Sequence, residues 1–286
     1  MKKLGFAMSS CGFQDLSDKN FKELASAGVQ GIELSFNAEK YNSIDWKTIK
    51  KRADQYNVPL WSLHLPFSGE LNIAEHKYSR TTIESHIELM KKASEIDIGI
   101  FVLHPSAEPY CDNERAEAIK RSQESLCKLA ECAKNCGGVI AVENLPRTCL
   151  GRNSDAIKQL ISVDNSLRVC FDTNHLLDEP IVDFIRAVGD KIVTTHFSDY
   201  DLKNERHWLP GEGVINWHQL ISELEAVQYK GPILYELNLL PSYSIQRRNL
   251  TFEDFKENHM QLISKKSPAP IGTPILSKCT SWKQTE

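Results

Sequence analysis

Short apolar runs alternate with amphipathic segments along most of the chain. Each run has the length of a β-strand and is bounded by Gly, Pro or polar residues. Several runs are apolar at nearly every position, as expected for parallel strands that are covered on both faces. The eight runs are residues 4–9, 31–35, 60–65, 100–104, 139–144, 168–172, 191–197 and 232–238.

Helical patterns lie between these runs. Phe21, Leu24 and Ala25 recur at helical spacing after Ser17 and Asp18, either of which can cap a helix. Further helices are predicted over residues 77–96, 113–135, 154–163, 180–188, 217–227 and 252–263. Eight strand–helix cycles predict an α/β protein with a parallel sheet, and that number favours closure into a single-domain (β/α)₈ TIM barrel.

A doubly wound open sheet is the alternative to the barrel. No Gly-x-Gly-x-x-Gly motif follows the first strand, which weakens a dinucleotide-binding interpretation. The pattern assigns residues 1–264 to the barrel. Residues 265–286 contain three prolines and no clear periodicity, so they are predicted to form an extended C-terminal tail outside it.

Composition narrows the partners. The 286 residues carry a net charge of -4, and a protein that grips nucleic acid usually has a basic surface, so nucleic acid is an unlikely partner. No apolar run is long enough to span a bilayer, and the N-terminus does not resemble a signal peptide. The eight cysteines form no C-x-x-C pair, which favours reduced thiols in a cytoplasmic protein.

Ionisable residues recur where the strands end. In a (β/α)₈ barrel the carboxyl ends of all strands meet on one face, so residues distant in sequence share a pocket there. Three His and four carboxylates in one mouth would repel and desolvate unless a cation were present. Mixed His and carboxylate ligands suit Zn²⁺, Mn²⁺, Co²⁺ or Mg²⁺. The strand-end residues are Glu33, His64, His104, Glu143, Asp172, His196 and Glu236.

One member of this set, Glu33, is treated separately. Glu33 lies inside its run and is expected to pair with a neighbouring cation, so it is left out of the metal ligands.

The loop after the seventh run contains Glu205, Arg206, His207 and Trp208, followed by Pro-Gly-Glu-Gly. Its glycines allow the loop to fold over a ligand. Arg206 is either a bidentate contact for a carboxylate or phosphate or a solvated surface residue.

Five motifs together resemble the xylose-isomerase-like barrel superfamily, which includes sugar isomerases and epimerases and the apurinic endonuclease IV enzymes. The resemblance covers about residues 1–264 and depends on the order and strand positions of the motifs. They are ENLPR at the fifth strand, FDTNH at the sixth, HFSD at the seventh, the loop RHWLPGEGVINW and YELN at the eighth.

The epimerase branch implies one divalent metal held by Glu143, Asp172, His196 and Glu236. The resemblance also implies that the two glutamates carry protons and that His175 contacts the substrate. Arg206 is a further candidate for orienting substrate hydroxyls, and Trp208 for an apolar wall. The expected reaction is isomerisation or epimerisation of a small sugar, sugar phosphate or inositol-like ketone through an enediolate.

The endonuclease IV branch implies more zinc. His64 and His104 are similar to its strand-three and strand-four ligands, and His175, Glu205 and His207 resemble a third ligand group. Three features depart from that branch: Glu205 stands where it has Asp, the spacing after His64 does not fit its loop, and its DNA-wedging loop after the second strand has no counterpart. A multi-zinc phosphodiester hydrolase is therefore the alternative function, and a binding protein without chemistry is the third.

Overall fold

The computed structural model describes residues 4–284 and contains eight parallel strands that alternate with helices. The strands are β1 (Phe6–Ser9), β2 (Gly31–Leu34), β3 (Leu60–His64), β4 (Ile100–Leu103), β5 (Val139–Glu143), β6 (Arg168–Asp172), β7 (Ile192–His196) and β8 (Ile233–Tyr235). The helices are α1 (Asp18–Ala27), α2 (Trp46–Tyr56), α3 (Ser79–Ser94), α4 (Asp112–Asn135), α5 (Ser154–Ile161), α6 (Ile181–Val188), α7 (Trp217–Ala226) and α8 (Phe252–Ile263).

Neighbouring strands pair in the order β7-β6-β5-β4-β3-β2-β1-β8. The remaining gap, between β7 and β8, is bridged by Phe197, which directly follows β7. There the Phe197 amide donates to the Leu234 carbonyl at 2.7 Å, and the Glu236 amide donates to the Phe197 carbonyl at 3.2 Å. The sheet is thus a nearly closed barrel, and the prediction of a single (β/α)₈ domain is confirmed.

One helix had not been predicted from the pattern. Helix α2 begins after Asp45, whose side chain accepts from the Thr48 amide, and it ends at Asn57 in the left-handed conformation. It buries only Ile49 and Ala53, so its apolar stripe is short in a segment rich in lysine. Within residues 4–284, no helix combines the length and the apolar character needed to cross a bilayer.

Two layers of apolar packing position the mouth of the barrel. A large core lies between the strands and the surrounding helices. A separate buried cluster consists of Val102, Ala141 and Cys170, one residue from each of three adjacent strands. Because side chains alternate along a strand, the residue two positions further on faces the same side, at the carboxyl end. Those residues are His104, Glu143 and Asp172.

The chain adds a second, two-stranded sheet after β8. Strand β9 (Ile245–Gln246) pairs antiparallel with β10 (Thr273–Pro274), which belongs to the C-terminal segment. Thr273 and Pro274 of the C-terminal segment therefore lie against the loop that follows β8.

Candidate metal and substrate site

Four side chains from consecutive strands meet at the mouth of the barrel. Glu143, Asp172 and His196 are the last residues of β5, β6 and β7, and Glu236 directly follows β8. Each offers one ligand atom, and these four atoms lie within 4.8 Å of one another. Metal–ligand bonds of about 2 Å place the ligand atoms of one ion roughly 3–4 Å apart, so a small shift of these side chains would suffice to enclose a cation.

His196 occupies the centre of this group. Its Nδ1 lies 2.9 Å from Glu236 Oε2, 3.2 Å from Glu143 Oε1 and 3.8 Å from Asp172 Oδ2. All of these neighbours are acceptors when ionised. The side chain of His196 is fully buried.

Glu33 contacts the other nitrogen, Nε2, of the His196 imidazole ring. His196 Nε2 lies 3.0 Å from Glu33 Oε1, and Ser62 Oγ donates to Glu33 Oε2 at 2.8 Å. A proton on Nε2 that is donated to Glu33 leaves the Nδ1 lone pair directed toward the other carboxylates. Glu33 thus lies behind the ligand histidine and pairs with it, and the interaction with a neighbouring cationic group that was expected from the sequence is made with imidazole.

The electrostatics of the group favour the binding of a cation. Burial, reinforced by Glu143 and Glu236, raises the pKa of Asp172 to about 7. Asp172 Oδ2 is buried without a hydrogen-bond partner. Burial alone would lower the pKa of His196, but the acidic groups around it raise that pKa well above 6.5. A cation at the centre would ionise Asp172 and release the His196 proton.

The second oxygen of Glu143 faces another pair of histidines. His64 Nε2 lies 3.2 Å and His104 Nε2 lies 3.3 Å from Glu143 Oε2. His64 Nδ1 is 2.9 Å from the Leu65 carbonyl, which can only accept, so Nδ1 carries a proton and Nε2 is the ring nitrogen directed at Glu143. Glu143 is therefore shared between two ligand groups, one on each oxygen.

A third group lies at the outer edge of the mouth. His175 Nε2 is 3.0 Å from Glu205 Oε1, and His207 Nε2 is 3.8 Å from the same oxygen. His175 Nδ1 is 2.9 Å from the Asn144 carbonyl, so its Nε2 faces the group. Ligand atoms of these three residues lie within 4.8 Å of one another.

The carboxylate of Glu205 also binds Arg147. Its guanidinium contacts Glu205 Oε2, and its Nε donates to Glu108 Oε1 at 2.7 Å. The imidazoles of His175 and His207 lower the pKa of Glu205 despite its burial, which by itself would raise that pKa. One oxygen of Glu205 is thereby directed toward the histidines and the other toward Arg147.

Members of all three groups line one cavity of about 190 Å³, whereas Asp172 and His196 are not among its lining residues. Its lining combines ligand candidates with four residues that the sequence analysis had not singled out. The lining residues are Cys11, His64, Phe67, His104, Glu143, His175, Glu205, His207, Glu236, Leu237 and Asn238. Among these described lining residues none is Lys or Arg.

Phe67 is the most informative of the additional residues. Its ring centroid lies 4.0 Å from that of His104, yet 52% of the residue is exposed. An exposed aromatic ring at the rim can cover the apolar face of a sugar ring. An aromatic residue three positions after a strand-end histidine was the available signal, but sequence alone does not reveal its exposure.

Arg206 and Trp208 are directed away from the cavity. Arg206 Nε donates to Asp201 Oδ2 at 3.0 Å, and its Nη2 donates to the Thr280 carbonyl at 2.6 Å. Trp208 is buried and donates from Nε1 to Ser244 Oγ at 3.1 Å. In this arrangement both side chains face the C-terminal segment, and neither is part of the cavity lining.

The chain belongs to the xylose isomerase-like TIM barrel family, whose model matches residues 21–251. This assignment agrees with the eight-stranded barrel and with the strand-end positions of the polar residues.

Curated relatives and solved structures extend the comparison. The chain is 27% identical over 201 residues to an uncharacterised protein of Methanocaldococcus jannaschii, covering 66% of this chain and 68% of the relative. It is 23% identical over 245 residues to fructoselysine 3-epimerase of Escherichia coli O157:H7, covering 80% of this chain and 89% of that enzyme. A crystal structure of a D-tagatose 3-epimerase-like protein superposes with a TM-score of 0.77 at 21% identity, covering 92% and 99% of the two chains.

Proposed function

We propose that this protein is a divalent-metal-dependent isomerase or epimerase of a small carbohydrate. One observation carries the proposal: three carboxylates and one imidazole, at the ends of four consecutive strands, offer ligand atoms within 4.8 Å of one another. The likeness to fructoselysine 3-epimerase supports the same class of reaction.

The donor set fits a divalent cation. Asp172 Oδ2 has no hydrogen-bond partner, and the buried carboxylates repel one another without a positive charge between them. Oxygen and imidazole donors suit Zn²⁺, Mn²⁺, Co²⁺ or Mg²⁺. Glu143, Asp172, His196 and Glu236 would hold the ion. When bound, it would act as a Lewis acid that stabilises the negative charge developing on the substrate oxygens.

Glu236 and Glu143 are the candidates for proton transfer. Burial opposes ionisation, but neighbouring histidines lower the pKa of Glu236 to about 2 and that of Glu143 well below 4.5. Both carboxylates line the cavity and are ionised at neutral pH, as a base requires. One would remove the proton next to the substrate carbonyl and become protonated, and the other, after taking up a proton from solvent or a neighbouring imidazolium, would return that proton on the opposite face. His175 would orient a hydroxyl group.

The cavity favours an uncharged sugar over a sugar phosphate. Its volume of about 190 Å³ lies below the usual range for drug-sized ligands. The nearby arginines are engaged elsewhere, since Arg147 pairs with Glu108 and Glu205, and Arg206 pairs with Asp201. Among the described lining residues no Lys or Arg remains to bind a phosphate.

A multi-zinc phosphodiester hydrolase of the endonuclease IV type is the second candidate. The observation that favours it is the presence of two further ligand groups, His64–His104–Glu143 and His175–Glu205–His207, on the same cavity. The net charge of -4 argues against a nucleic-acid substrate.

Metal counting and isotope exchange separate the two candidates. Purified protein loaded with zinc or manganese should contain about one tightly bound ion per chain for the epimerase and about three for the hydrolase. Incubation with ketoses in ²H₂O should place deuterium on the carbon next to the carbonyl. Nicking of abasic-site DNA at low enzyme concentration, without such deuterium incorporation, would overturn the epimerase proposal.

Replacement of Glu236 tests the chemistry directly. Glu236→Gln keeps the size of the side chain but removes the base and the charge of one candidate metal ligand, so deuterium incorporation by the metal-loaded variant should fall about 10²–10⁴-fold while the circular dichroism spectrum is unchanged. Glu70→Gln, at an exposed position, is the control and should retain full activity. Full activity in Glu236→Gln would show that the proton transfer is placed on the wrong residue.

A further inference from the structure

The buried carboxylate of Glu212 joins two segments that are far apart in sequence. We call residues 199–213, between β7 and α7, the mouth loop, and residues 265–284 the tail. Glu212 Oε2 accepts from the Leu209 amide of the mouth loop at 2.9 Å, and Glu212 Oε1 accepts from the Gly272 amide of the tail at 2.8 Å. Glu212 therefore connects the loop to the tail through one side chain.

Two glycines permit close packing at this junction. A Cβ atom on Gly211, whose φ is +98°, would lie 2.4 Å from the Pro268 carbonyl oxygen of the tail. A Cβ atom on Gly272 would lie 2.8 Å from Arg247 Cβ and 2.9 Å from Glu212 Oε1. All three distances are too short for real contacts, so loop and tail approach each other only because these positions lack side chains.

The tail also holds the residues on either side of His207. Thr280 accepts a hydrogen bond from the Arg206 guanidinium at 2.6 Å. Cys279 packs with Trp208 and Ile245 in a small buried cluster. Strand β10 of the tail pairs with β9, and this pairing holds Ile245 of β9 in the cluster.

The mouth loop is anchored on its other side as well. The Arg206 amide donates to Asn174 Oδ1 at 2.9 Å, and Arg147 donates from Nη1 to Asn204 Oδ1 at 2.9 Å. Glu205 and His207 therefore lie between a barrel-side anchor and the tail. Loosening either side would allow the loop to move relative to His175.

We propose that the tail is a positioning element of the site: by docking on Arg206, Trp208 and Glu212 it fixes the mouth loop and thereby the side chains of Glu205 and His207 at the edge of the cavity. The Pro-Gly-Glu-Gly segment is the receptor for the tail, with Gly211 providing space and Glu212 the acceptor. This role concerns the conformation of the loop and does not depend on which reaction the cavity performs.

Hydrogen–deuterium exchange of the full-length, metal-free protein tests the proposal. Gly272→Ala adds one methyl group where Arg247 and Glu212 leave no room, and it should loosen the tail. Exchange in peptides covering residues 199–213 should then accelerate about tenfold or more, together with exchange in the tail. Peptides from β4, β5 and β6 should exchange as in the unsubstituted protein.

The matched control is Gly69→Ala. It adds the same methyl group at a glycine with no atom within 4 Å, so exchange in the mouth loop should be unchanged. Glu212→Gln weakens the same junction without steric conflict and should reproduce the effect if Gly272→Ala does not fold. Faster exchange in the tail with an unchanged mouth loop would overturn the proposal, as would unchanged exchange in both segments of both variants.

Discussion

At the level of single residues, the site is built in two layers. Ser62 donates to Glu33, Glu33 pairs with His196 Nε2, and His196 Nδ1 faces the carboxylates of the candidate metal group. Carboxylates behind a ligand histidine fix its tautomer and increase its basicity. We therefore expect Glu33 to increase the affinity for a bound metal without contacting it.

Replacement of Glu33 should weaken metal binding. Glu33→Gln keeps the shape but removes the charge that orients His196, so metal affinity should fall about 10–100-fold. Competition with a chromogenic chelator measures this change. Ser62→Ala removes only the donor to Glu33 and should have a smaller effect. Equal affinity in Glu33→Gln and the unsubstituted protein would contradict the assignment.

A buried histidine of helix α8, His259, makes the free energy of unfolding depend on pH. His259 stacks on Phe6 with ring centroids 5.1 Å apart, and burial lowers its pKa to about 4. The unfolded chain takes up a proton near pH 6.5 that the folded chain resists, so stability is complete above that pH and falls as the pH drops toward 4.

His259→Phe removes this dependence and keeps an aromatic ring against Phe6. The loss of unfolding free energy between pH 7 and pH 5 should be smaller in the variant by roughly 2 kcal/mol. Urea unfolding at both pH values provides the measurement. His218→Phe, at an exposed position for comparison, should leave the pH dependence as it is.

At the level of elements, helix α8 is fixed by its N-terminus. Thr251 caps the helix, and the Asp254 side chain accepts from the Thr251 amide at 2.7 Å, which completes a capping box. Arg248 donates two hydrogen bonds of 2.6 Å to the same carboxylate. This buried carboxylate therefore holds both the helix and the chain that enters it.

Asp254→Asn should destabilise the protein by about 1–2 kcal/mol at neutral pH, since it weakens the cap and the ion pair. Arg248 lowers the pKa of Asp254 to about 2, so the difference should shrink as the pH falls from about 4 toward 2. Urea unfolding measures it. Glu253→Gln, on the exposed neighbour, should change stability by less than about 0.5 kcal/mol. An equal loss in both variants would rule out the capping role.

At the level of the whole molecule, the mouth places several buried acidic groups together. A bound cation would compensate them, and binding that occurs only in the folded state stabilises it by about 2.7 kcal/mol at a ligand concentration of 100 Kd. Metal occupancy should therefore govern thermal stability as well as turnover.

Chelation with EDTA should lower Tm by about 5 °C relative to the metal-loaded protein, as observed by scanning calorimetry. Asp172→Asn removes one ligand and also the buried carboxylate whose pKa is raised to about 7. In that variant the difference in Tm between the metal-loaded and the metal-free form should be smaller. The metal-free variant should also be more stable than the metal-free unsubstituted protein. A Tm that is the same with and without metal would contradict a resident cation.

The amino-acid pattern predicts the barrel and the ionisable residues at its strand ends, and the resemblance to the family implies which four of them would hold a metal. Apolar runs of strand length can be identified one at a time, and parallel connection brings their carboxyl ends to one face. Glu143, Asp172 and His196 end their runs in the sequence and end β5, β6 and β7 in the structure. For these residues backbone position largely decides where the side chain lies.

Tertiary structure alone decides which loop residues face the cavity. Arg206 has an ambiguous direction in the sequence because its partner, Thr280, lies 74 residues away. Glu33 is an ordinary acidic residue within a strand until β7 places His196 beside it. The pairing of Glu212 with Gly272 likewise depends on the path of the tail. Such side chains take their directions from contacts between distant segments, which local periodicity does not encode.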